Sequence, residues 1–171
     1  MFTDILILGN LIGGPKHGYE IKRAIEKRMG GTYRLTNSQI YPALKSLEEM
    51  GAITREVVRQ EGRPDRHLYR LTSLGQDVLH QMVMDFPEDK ARRDAEFFVR
   101  LAYFRYLSRT ERIAILEARK RQVEARAANV ATWLEAPDAY VRGLGQLRMD
   151  TFGLELQRLG AWIARESDQV D

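Results

Sequence analysis

Residues 37–75 read NSQIYPALKSLEEMGAITREVVRQEGRPDRHLYRLTSLG, and this stretch decides the fold. Gly51 stands where the C-terminal cap of a helix needs a left-handed residue. Before it, apolar residues recur at intervals of three or four, which is typical of an amphipathic helix; they are Ile40, Tyr41, Leu44 and Leu47. The stretch therefore begins with a helix, Ser38–Met50, that buries one side in a core.

After this helix the pattern changes from helical to extended. Residues 53–59 (ITREVVR) and 67–71 (HLYRL) are rich in β-branched and aromatic side chains, which favour strands. Between them, residues 61–65 (EGRPD) have the composition of a turn. These features predict a β-hairpin, and Thr72 then has the right residue type and position to cap a fourth helix.

Two more helices precede the quoted stretch. Apolar spacing predicts one over Thr3–Ile12, stopped by a Gly-Gly-Pro sequence, and another over Gly18–Met29, ended by two glycines. Three helices, a two-stranded hairpin and a fourth helix are typical of a winged helix-turn-helix domain, which we assign to residues 1–86. The fold class is thus mostly α, with a two-stranded wing.

The start of the third helix is polar, although the helix packs in a core. Asn37, Ser38 and Gln39 stand at this start. In a helix-turn-helix, the N-terminal residues of the second helix of the pair meet base edges in the major groove, where these side chains can form hydrogen bonds. The alternative is that Asn37 and Ser38 only cap the helix, a role that their residue types also favour.

Basic residues surround this polar start. Between Lys16 and Arg70 the chain has 12 basic and 7 acidic residues, although the net charge of the whole chain is only +3. We expect Gly18 to let a DNA backbone approach the second helix, whose first N–H groups favour a phosphate. The basic residues about the hairpin turn are also expected to contact DNA. The alternative is that this turn is only a solvated, charged loop. The predicted DNA-binding residues are Lys16, His17, Gly18, Tyr19, Asn37, Ser38, Gln39, Tyr41, Lys45, Arg59, Arg63 and Arg66.

Three segments carry a family resemblance. HGYEIKRAI at residues 17–25, SQIYPALKSLEEMGAI at 38–53 and GRPDRHLYRLTSLG at 62–75 resemble, in this order, the corresponding segments of the PadR family of bacterial transcriptional regulators. The resemblance implies a winged-helix DNA-binding domain followed by a helical dimerisation domain. It also implies a repressor that a small molecule releases from its operator.

The second half, residues 87–171, is predicted to form a helical dimerisation and effector domain. A strongly apolar helix is expected over Ala95–Leu107, and a capping box, SRTE, follows it. Two heptad-like seams come next, from Ile113 to Leu134 and from Met149 to Ile163. At least one seam should join a homodimer, whose two-fold symmetry suits a palindromic operator in double-stranded DNA. The predicted dimerisation residues are Leu116, Val123, Val130, Leu134, Phe152, Leu156, Leu159 and Ile163.

Aromatic residues of the second half suggest an effector pocket. The candidates are Trp133, Tyr140 and Trp162. The family resemblance implies an aromatic or phenolic small molecule as the effector. The alternative is that aromatic side chains at helical spacing form an ordinary core.

Composition and missing motifs argue against several other classes of protein. The chain has no cysteine and three scattered histidines, so we expect no disulfide, no metal site and no cofactor. It has no nucleotide-binding loop and no nucleophile motif, so we do not expect an enzyme. The apolar run Ile5–Ile12 is too short for a membrane span or a signal peptide, which predicts a cytoplasmic protein. The remaining alternative is a winged-helix adaptor that binds proteins without specific DNA binding.

Overall fold

The structure is a computed structural model, which describes residues 2–30, 34–59 and 66–168. It divides into two compact units, Met1–Asp85 and Phe86–Asp171. No helix in the described part of the chain is long and apolar enough to cross a membrane.

The described part of the first unit contains the four predicted helices. Gly51, after the third of them, has a φ of +72°, as its predicted role in the cap requires. The side-chain oxygen of Thr72 accepts a hydrogen bond from the backbone N of Gly75 at 2.9 Å, which confirms the predicted cap of the fourth helix. The helices are α1 (Phe2–Leu11), α2 (Gly18–Arg28), α3 (Asn37–Glu49) and α4 (Ser73–Met84).

Helix α1 lies at the centre of the first unit. Ile5, Leu6, Ile7 and Leu8 are at most 1% exposed. These four consecutive apolar residues point in every direction around the helix axis, so each side of α1 needs a partner. Helices α2, α3 and α4 supply these partners and form the core around it.

The predicted wing is part of a three-stranded antiparallel sheet. Strands β2 (Ile53–Val58) and β3 (Arg66–Leu71) form the expected hairpin, with Ile53 opposite Leu71. The two-stranded wing is confirmed, and a further strand that the sequence did not indicate, β1 (Lys16–His17), pairs with the other edge of β3. Two residues are too few to show the alternation that marks a strand in a sequence. The turn between β2 and β3, which includes Arg63, lies outside the described residues.

The described part of the second unit is helical. Two 3-10 turns, at Phe104–Tyr106 and Thr132–Glu135, separate its longer helices. The capping box after the first turn is present: the backbone N of Ser108 donates to Glu111 at 2.7 Å, and the backbone N of Glu111 donates to Ser108 Oγ at 3.3 Å. The helices are α5 (Glu88–Ala91), α6 (Asp94–Leu101), α7 (Arg109–Ala131) and α8 (Ala139–Asp168).

The single helix predicted over Ala95–Leu107 is interrupted. Helix α6 ends at Leu101, and a 3-10 turn follows. The interruption lets Tyr103 and Leu107 both point into the core, where they are 1% and 5% exposed. The segment contains no glycine or proline to mark the break, so burial of side chains decides it rather than local propensity.

Helices α7 and α8 pack as an antiparallel pair. Arg112 near the start of α7 forms an ion pair of 2.7 Å with Glu166 near the end of α8. Five of the predicted dimerisation residues are buried within this unit of one chain: Leu116, Val123, Val130, Phe152 and Leu159. Leu156 and Ile163 are half-buried, whereas Leu134 lies beyond the end of α7 and is 37% exposed. Most of the predicted dimerisation residues therefore already pack against residues of their own chain.

Candidate nucleic-acid interface

A groove of about 780 Å³ lies between helix α2, helix α3 and strand β3. We call it the α2–α3 groove. One acidic residue, Glu20, lines it together with basic and aromatic side chains. The basic residues are Arg23, Lys27 and Arg66, and the aromatic residues are Tyr19, Tyr41 and Tyr69. The groove thus combines positive charge with aromatic side chains, a combination that suits a phosphate backbone.

Helix α3 presents its polar first turn at the surface. Asn37, Ser38 and Gln39 are exposed. On the opposite side, Ile40, Leu44 and Leu47 are each 1% exposed and anchor the helix in the core. The helix therefore has the two faces that a recognition helix needs.

Thr36 is the N-cap of α3, so the cap alternative for Asn37 and Ser38 needs correction. The backbone N of Thr36 donates to Gln39 Oε1 at 3.0 Å, and the Thr36 hydroxyl lies 2.8 Å from Ser38 Oγ. Gln39 thereby uses its carbonyl oxygen to hold the helix start, in the manner of a capping box. Its amide nitrogen is the part of the side chain that can still donate to a base.

Asn37 connects α3 to α2. Its Oδ1 accepts a hydrogen bond from Lys22 Nζ at 3.3 Å, and both side chains lie near the surface. This contact joins the two helices of the helix-turn-helix close to the polar start. Asn37 therefore has a structural partner as well as access to a ligand.

Lys16 and Gly18 have structural roles that the sequence did not suggest. The Lys16 ammonium donates to the carbonyl oxygens of Asn10 and Gly14, so it lies at the C-terminal end of α1. Gly18 is buried, and a Cβ at this position would lie 3.2 Å from Tyr41 Cε1. The missing side chain of Gly18 makes room for Tyr41, and Gly18 also lines the α2–α3 groove, so close approach of DNA at Gly18 stays a prediction.

His17 connects the sheet to the start of α2. Its Nδ1 lies 3.0 Å from the carbonyl oxygen of His67 on β3, and its backbone N donates to Glu20 Oε2 at 2.8 Å. Sequence reasoning missed His67, which also lines the groove. A signal for it would have required recognising the two-residue strand β1.

Apart from Arg59, the remaining predicted DNA-binding residues that the structure describes line the α2–α3 groove or the groove beside it. Tyr19 and Tyr41 are 68% and 46% exposed. Lys45 borders a second groove of about 560 Å³ that shares Tyr41 with the first, and its ammonium lies 3.7 Å from Glu49. Arg59 and Arg66, at the described ends of the wing, are exposed.

Tyr69 forms the floor of both grooves. It is 4% exposed, and burial raises the pKa of its hydroxyl despite the opposing charge of Arg55. The phenol therefore keeps its proton at neutral pH. It can act as a hydrogen-bond donor in the groove and adds no negative charge there.

The three aromatic effector candidates do not converge within one chain. Tyr140 is 90% exposed in the first turn of α8, whereas Trp162 is half-buried 22 residues further along the same helix. At 1.5 Å per residue, these two positions are about 33 Å apart. Trp133 packs close to the α8 backbone at Gly145: a Cβ added at Gly145 would lie 3.1 Å from the Cβ of Trp133. The three residues thus do not share one pocket within a single chain, and an effector pocket at any one of them stays a prediction.

A buried arginine organises the second unit instead. Arg119 is fully buried and donates to Asp94 at 2.6 Å, Glu155 at 2.7 Å and the carbonyl oxygen of Ala91 at 2.9 Å. The neighbouring Lys120 is only half-buried. No group of metal-binding side chains occurs among the described residues.

Comparisons with known proteins decide the family. The model of the transcriptional regulator PadR-like family matches residues 7–81. Negative transcriptional regulator PadR of Bacillus subtilis (strain 168) is 31% identical over 126 residues, which cover 73% of this chain and 67% of that protein. The chain belongs to the PadR-like family of transcriptional regulators.

Two solved structures of Bacillus subtilis PadR are also similar to this PadR-like chain. The complex with operator DNA is 23% identical, with a TM-score of 0.45, and the match covers 95% of this chain and 96% of that one. The complex with p-coumaric acid is 22% identical, with a TM-score of 0.42, and the match covers 98% of this chain and 100% of that one.

Proposed function

We propose that the chain is a homodimeric repressor that reads a palindromic operator through the first turn of α3. The observation that carries this proposal is the placement of an exposed polar turn directly beside a basic groove. Asn37, Ser38 and Gln39 supply hydrogen-bonding groups for base edges, and the cations of the groove suit the neighbouring phosphates. Repression is supported by the Bacillus subtilis relative, which is a negative transcriptional regulator.

Residues 1–86 form the DNA-binding domain in this proposal, and residues 87–171 form the dimerisation and effector domain. Release by an aromatic or phenolic small molecule rests on the family resemblance alone. The protein would act in the cytoplasm, where its operator lies.

We place the dimer contact on an exposed apolar face of α8. Four large apolar side chains follow each other along this helix at intervals of four, three and seven residues, which is heptad spacing. They are 48% to 90% exposed, unlike the buried residues of the α7–α8 seam. We call this set the α8 face: Tyr140, Leu144, Leu147 and Leu154. A second copy of the same helix would cover such a face and hold two winged domains at a defined separation.

The salt dependence of DNA binding tests the proposal. Each lysine or arginine that contacts a phosphate contributes about 0.9 to the slope of log affinity against log salt. We expect Arg66→Ala to make this slope shallower by about that amount for each contact, on operator and random DNA alike. Lys16→Ala is the matched control, because its ammonium donates to the carbonyl oxygens of Asn10 in α1 and of Gly14 just beyond it, and its slope should equal that of the wild type.

Titration of the purified protein with operator and random duplexes, at several salt concentrations, supplies the measurement. A protein that binds both duplexes weakly and with no salt dependence would be an adaptor, and the proposed function would be wrong. A shallower slope for Lys16→Ala would show that Lys16 contacts a DNA phosphate.

A further inference from the structure

The amide of Gln39 has a fixed orientation at the start of α3. Its carbonyl oxygen, Oε1, lies 3.0 Å from the backbone N of Thr36. A backbone N–H only donates hydrogen bonds, so the atom that faces it must be the oxygen of the amide and not the nitrogen. The contact therefore assigns Oε1 to the helix start and leaves Nε2 as the other end of the amide.

The oxygen of this amide has no free lone pair. The hydroxyl of Thr36 also donates to Gln39 Oε1, at 3.1 Å. A carbonyl oxygen has two lone pairs, and the backbone N and the hydroxyl of Thr36 occupy both. Oε1 therefore cannot accept a hydrogen bond from a base unless it gives up one of these contacts.

A neighbouring hydroxyl supports this arrangement of protons. Ser38 Oγ lies 2.8 Å from Thr36 Oγ1. Thr36 has one hydroxyl proton, and if that proton pointed at Ser38, two acceptor oxygens would face each other across the 3.1 Å contact with Gln39. The proton between the two hydroxyls therefore belongs to Ser38. The hydrogen bonds run in one direction, from Ser38 to Thr36 and from Thr36 to Gln39.

The amide nitrogen of Gln39 is the group that remains for a base. The side chain is exposed, and Nε2 has no hydrogen-bond partner in the part of the chain that the structure describes. An amide nitrogen carries two N–H donors and no acceptor. Gln39 therefore meets DNA as a donor only.

A side chain that only donates distinguishes the four bases in the major groove. Guanine presents two acceptors, N7 and O6, whereas adenine presents one acceptor beside the N6 donor. The two-point pairing of glutamine with adenine needs the amide oxygen for N6, and in this protein that oxygen is occupied. Cytosine presents a donor, and thymine presents one acceptor beside a methyl group. Guanine is the base that matches both N–H groups of Gln39.

We propose that Gln39 reads a guanine in each operator half-site through its amide nitrogen, and that Thr36 is the positioning residue that excludes adenine. This assignment rests on the proposed function, because it takes the first turn of α3 to meet base edges. Thr36 acts through Gln39: its backbone N and its hydroxyl hold the amide oxygen away from the DNA.

Selection of duplexes from a random pool identifies the base pair that Gln39 contacts. The variant Gln39→Ala should lose its preference at one pair of each half-site, and the wild type should select G·C at that pair. An A·T pair at that position, or no position that loses its preference, overturns the inference. Gln76→Ala is the matched control, because Gln76 is exposed on α4 and lines neither groove, and it should select the wild-type sequence.

Duplexes with 7-deazaguanine at this position decide which base of the pair is read. This base lacks the N7 acceptor and keeps O6. The dissociation constant of the wild type should rise about two- to tenfold, whereas that of Gln39→Ala should not change. An equal rise for both proteins, or no rise for the wild type, overturns the inference.

The matched variants Thr36→Ser and Thr36→Val test the role of the hydroxyl. Serine keeps the hydroxyl, and valine replaces it with a methyl group. The preference for G·C over A·T at the identified pair should equal that of the wild type in Thr36→Ser. It should fall about two- to tenfold in Thr36→Val, because Oε1 then has a free lone pair for adenine N6.

The measured quantity is the ratio of two dissociation constants, which does not depend on the fraction of folded protein. An equal preference in Thr36→Ser and Thr36→Val overturns the role of Thr36. If the wild type binds DNA but enriches no sequence, the inference is wrong and general DNA binding remains. If it binds no DNA, the proposed function itself is wrong.

Discussion

Individual side chains beside the α2–α3 groove serve structure and recognition together. Gln39 accepts a hydrogen bond from the backbone N of Thr36 and still exposes its amide nitrogen. Asn37 accepts one from Lys22 and connects α3 to α2. A residue that is already held by a neighbour loses less conformational entropy when it meets a base. The hydrogen bonds at the start of α3 therefore prepare it for binding.

Gln39→Ala should change stability and binding by separable amounts. Loss of the cap should lower the free energy of unfolding by about 0.5–2 kcal/mol. Loss of the base contact made by the amide nitrogen should weaken operator binding by about 0.5–1.5 kcal/mol more than binding to random DNA. Urea unfolding and titration with both duplexes measure the two effects.

Glu111→Ala is the matched control for the stability effect, because Glu111 has the same position in the capping box of α7. It should lower stability by a similar amount and leave DNA discrimination unchanged. If Gln39→Ala loses equal affinity for operator and random DNA, Gln39 only positions the helix and does not contact a base.

Elements of the first unit meet at a tight junction below the wing. The carbonyl oxygen of Ala52, at the corner between α3 and β2, accepts hydrogen bonds from the backbone N of Thr72 at 3.1 Å and from its hydroxyl at 3.0 Å. Gly75, in the first turn of α4, lies against the same carbonyl group. This junction holds the end of β3, the corner and α4 in one arrangement.

Gly75→Ala should destabilise the first unit strongly. An added Cβ would lie 2.0 Å from the oxygen of Ala52, a backbone atom that cannot move away at low cost. We expect a loss of about 3 kcal/mol or more, the upper part of the range for overpacking. Urea unfolding followed by circular dichroism measures it.

Gly153→Ala on α8 is the control, because a Cβ there would meet no atom within 4 Å. It should be neutral or stabilise the helix by up to about 1 kcal/mol. A Gly75→Ala protein with wild-type stability would show that the junction can open without cost.

In the second unit, the charge network around Arg119 makes stability depend on pH. Burial favours the neutral acid of Asp94, but the hydrogen bonds and charges of Arg119 and Arg126 lower its pKa below the ordinary value of 3.8. A lowered pKa stabilises the fold above pH 3.8, and this contribution is lost as the pH falls below that value.

Asp94→Asn should therefore lower the free energy of unfolding at pH 6 by about 1–2 kcal/mol, since Asp94 is half-exposed and Glu155 still pairs with Arg119. At about pH 3 the difference from the wild type should shrink. Asp89→Asn is the control, because its ion pair with Arg93 is 3.8 Å long and exposed, and it should have almost no effect. A difference that does not change with pH would contradict the assignment.

At the scale of the whole molecule, the proposed dimer depends on the surface of α8 rather than on its buried seam. Phe152 and Leu159 are at most 2% exposed within one chain, whereas Leu144 and Leu147 on the α8 face are 48% and 63% exposed. Charges on the two sides of the same helix should therefore have different consequences.

Replacing Leu144 and Leu147 together by Asp should give a folded monomer. Operator affinity should fall by about 100-fold or more, while affinity for a single half-site stays unchanged, because the second contact loses its high effective concentration. Leu159→Asp, in contrast, should unfold the second unit by burying a charge. Sedimentation, circular dichroism and titration with full and half operators distinguish these outcomes.

Leu74→Asp is the control for an exposed leucine elsewhere, since Leu74 is 49% exposed in the first turn of α4, where a negative charge is favourable. It should leave the assembly unchanged. If the double variant of Leu144 and Leu147 remains a dimer, another surface forms the dimer contact.

Local signals in the sequence predicted most of the first unit, and non-local contacts explain the rest. Glycine at the end of α3 and Thr72 before α4 act on their own helix, so their roles could be predicted. The partner of Lys16 is the end of α1, and the neighbour of Gly18 is Tyr41 on another helix; a linear pattern shows neither contact. Apolar spacing predicted that the α7 seam is buried, but it does not show whether the covering surface belongs to the same chain.

The central position of α1 has a consequence for synthesis of the protein on the ribosome. Its four fully buried residues pack against α2, α3 and α4, and α4 ends at Met84, 73 residues after Leu11. At about 5–20 residues per second, the ribosome needs roughly 4–15 s to translate those residues. During this interval the most apolar helix of the first unit lacks its final partner, so nascent chains of this length are the ones that a chaperone would bind.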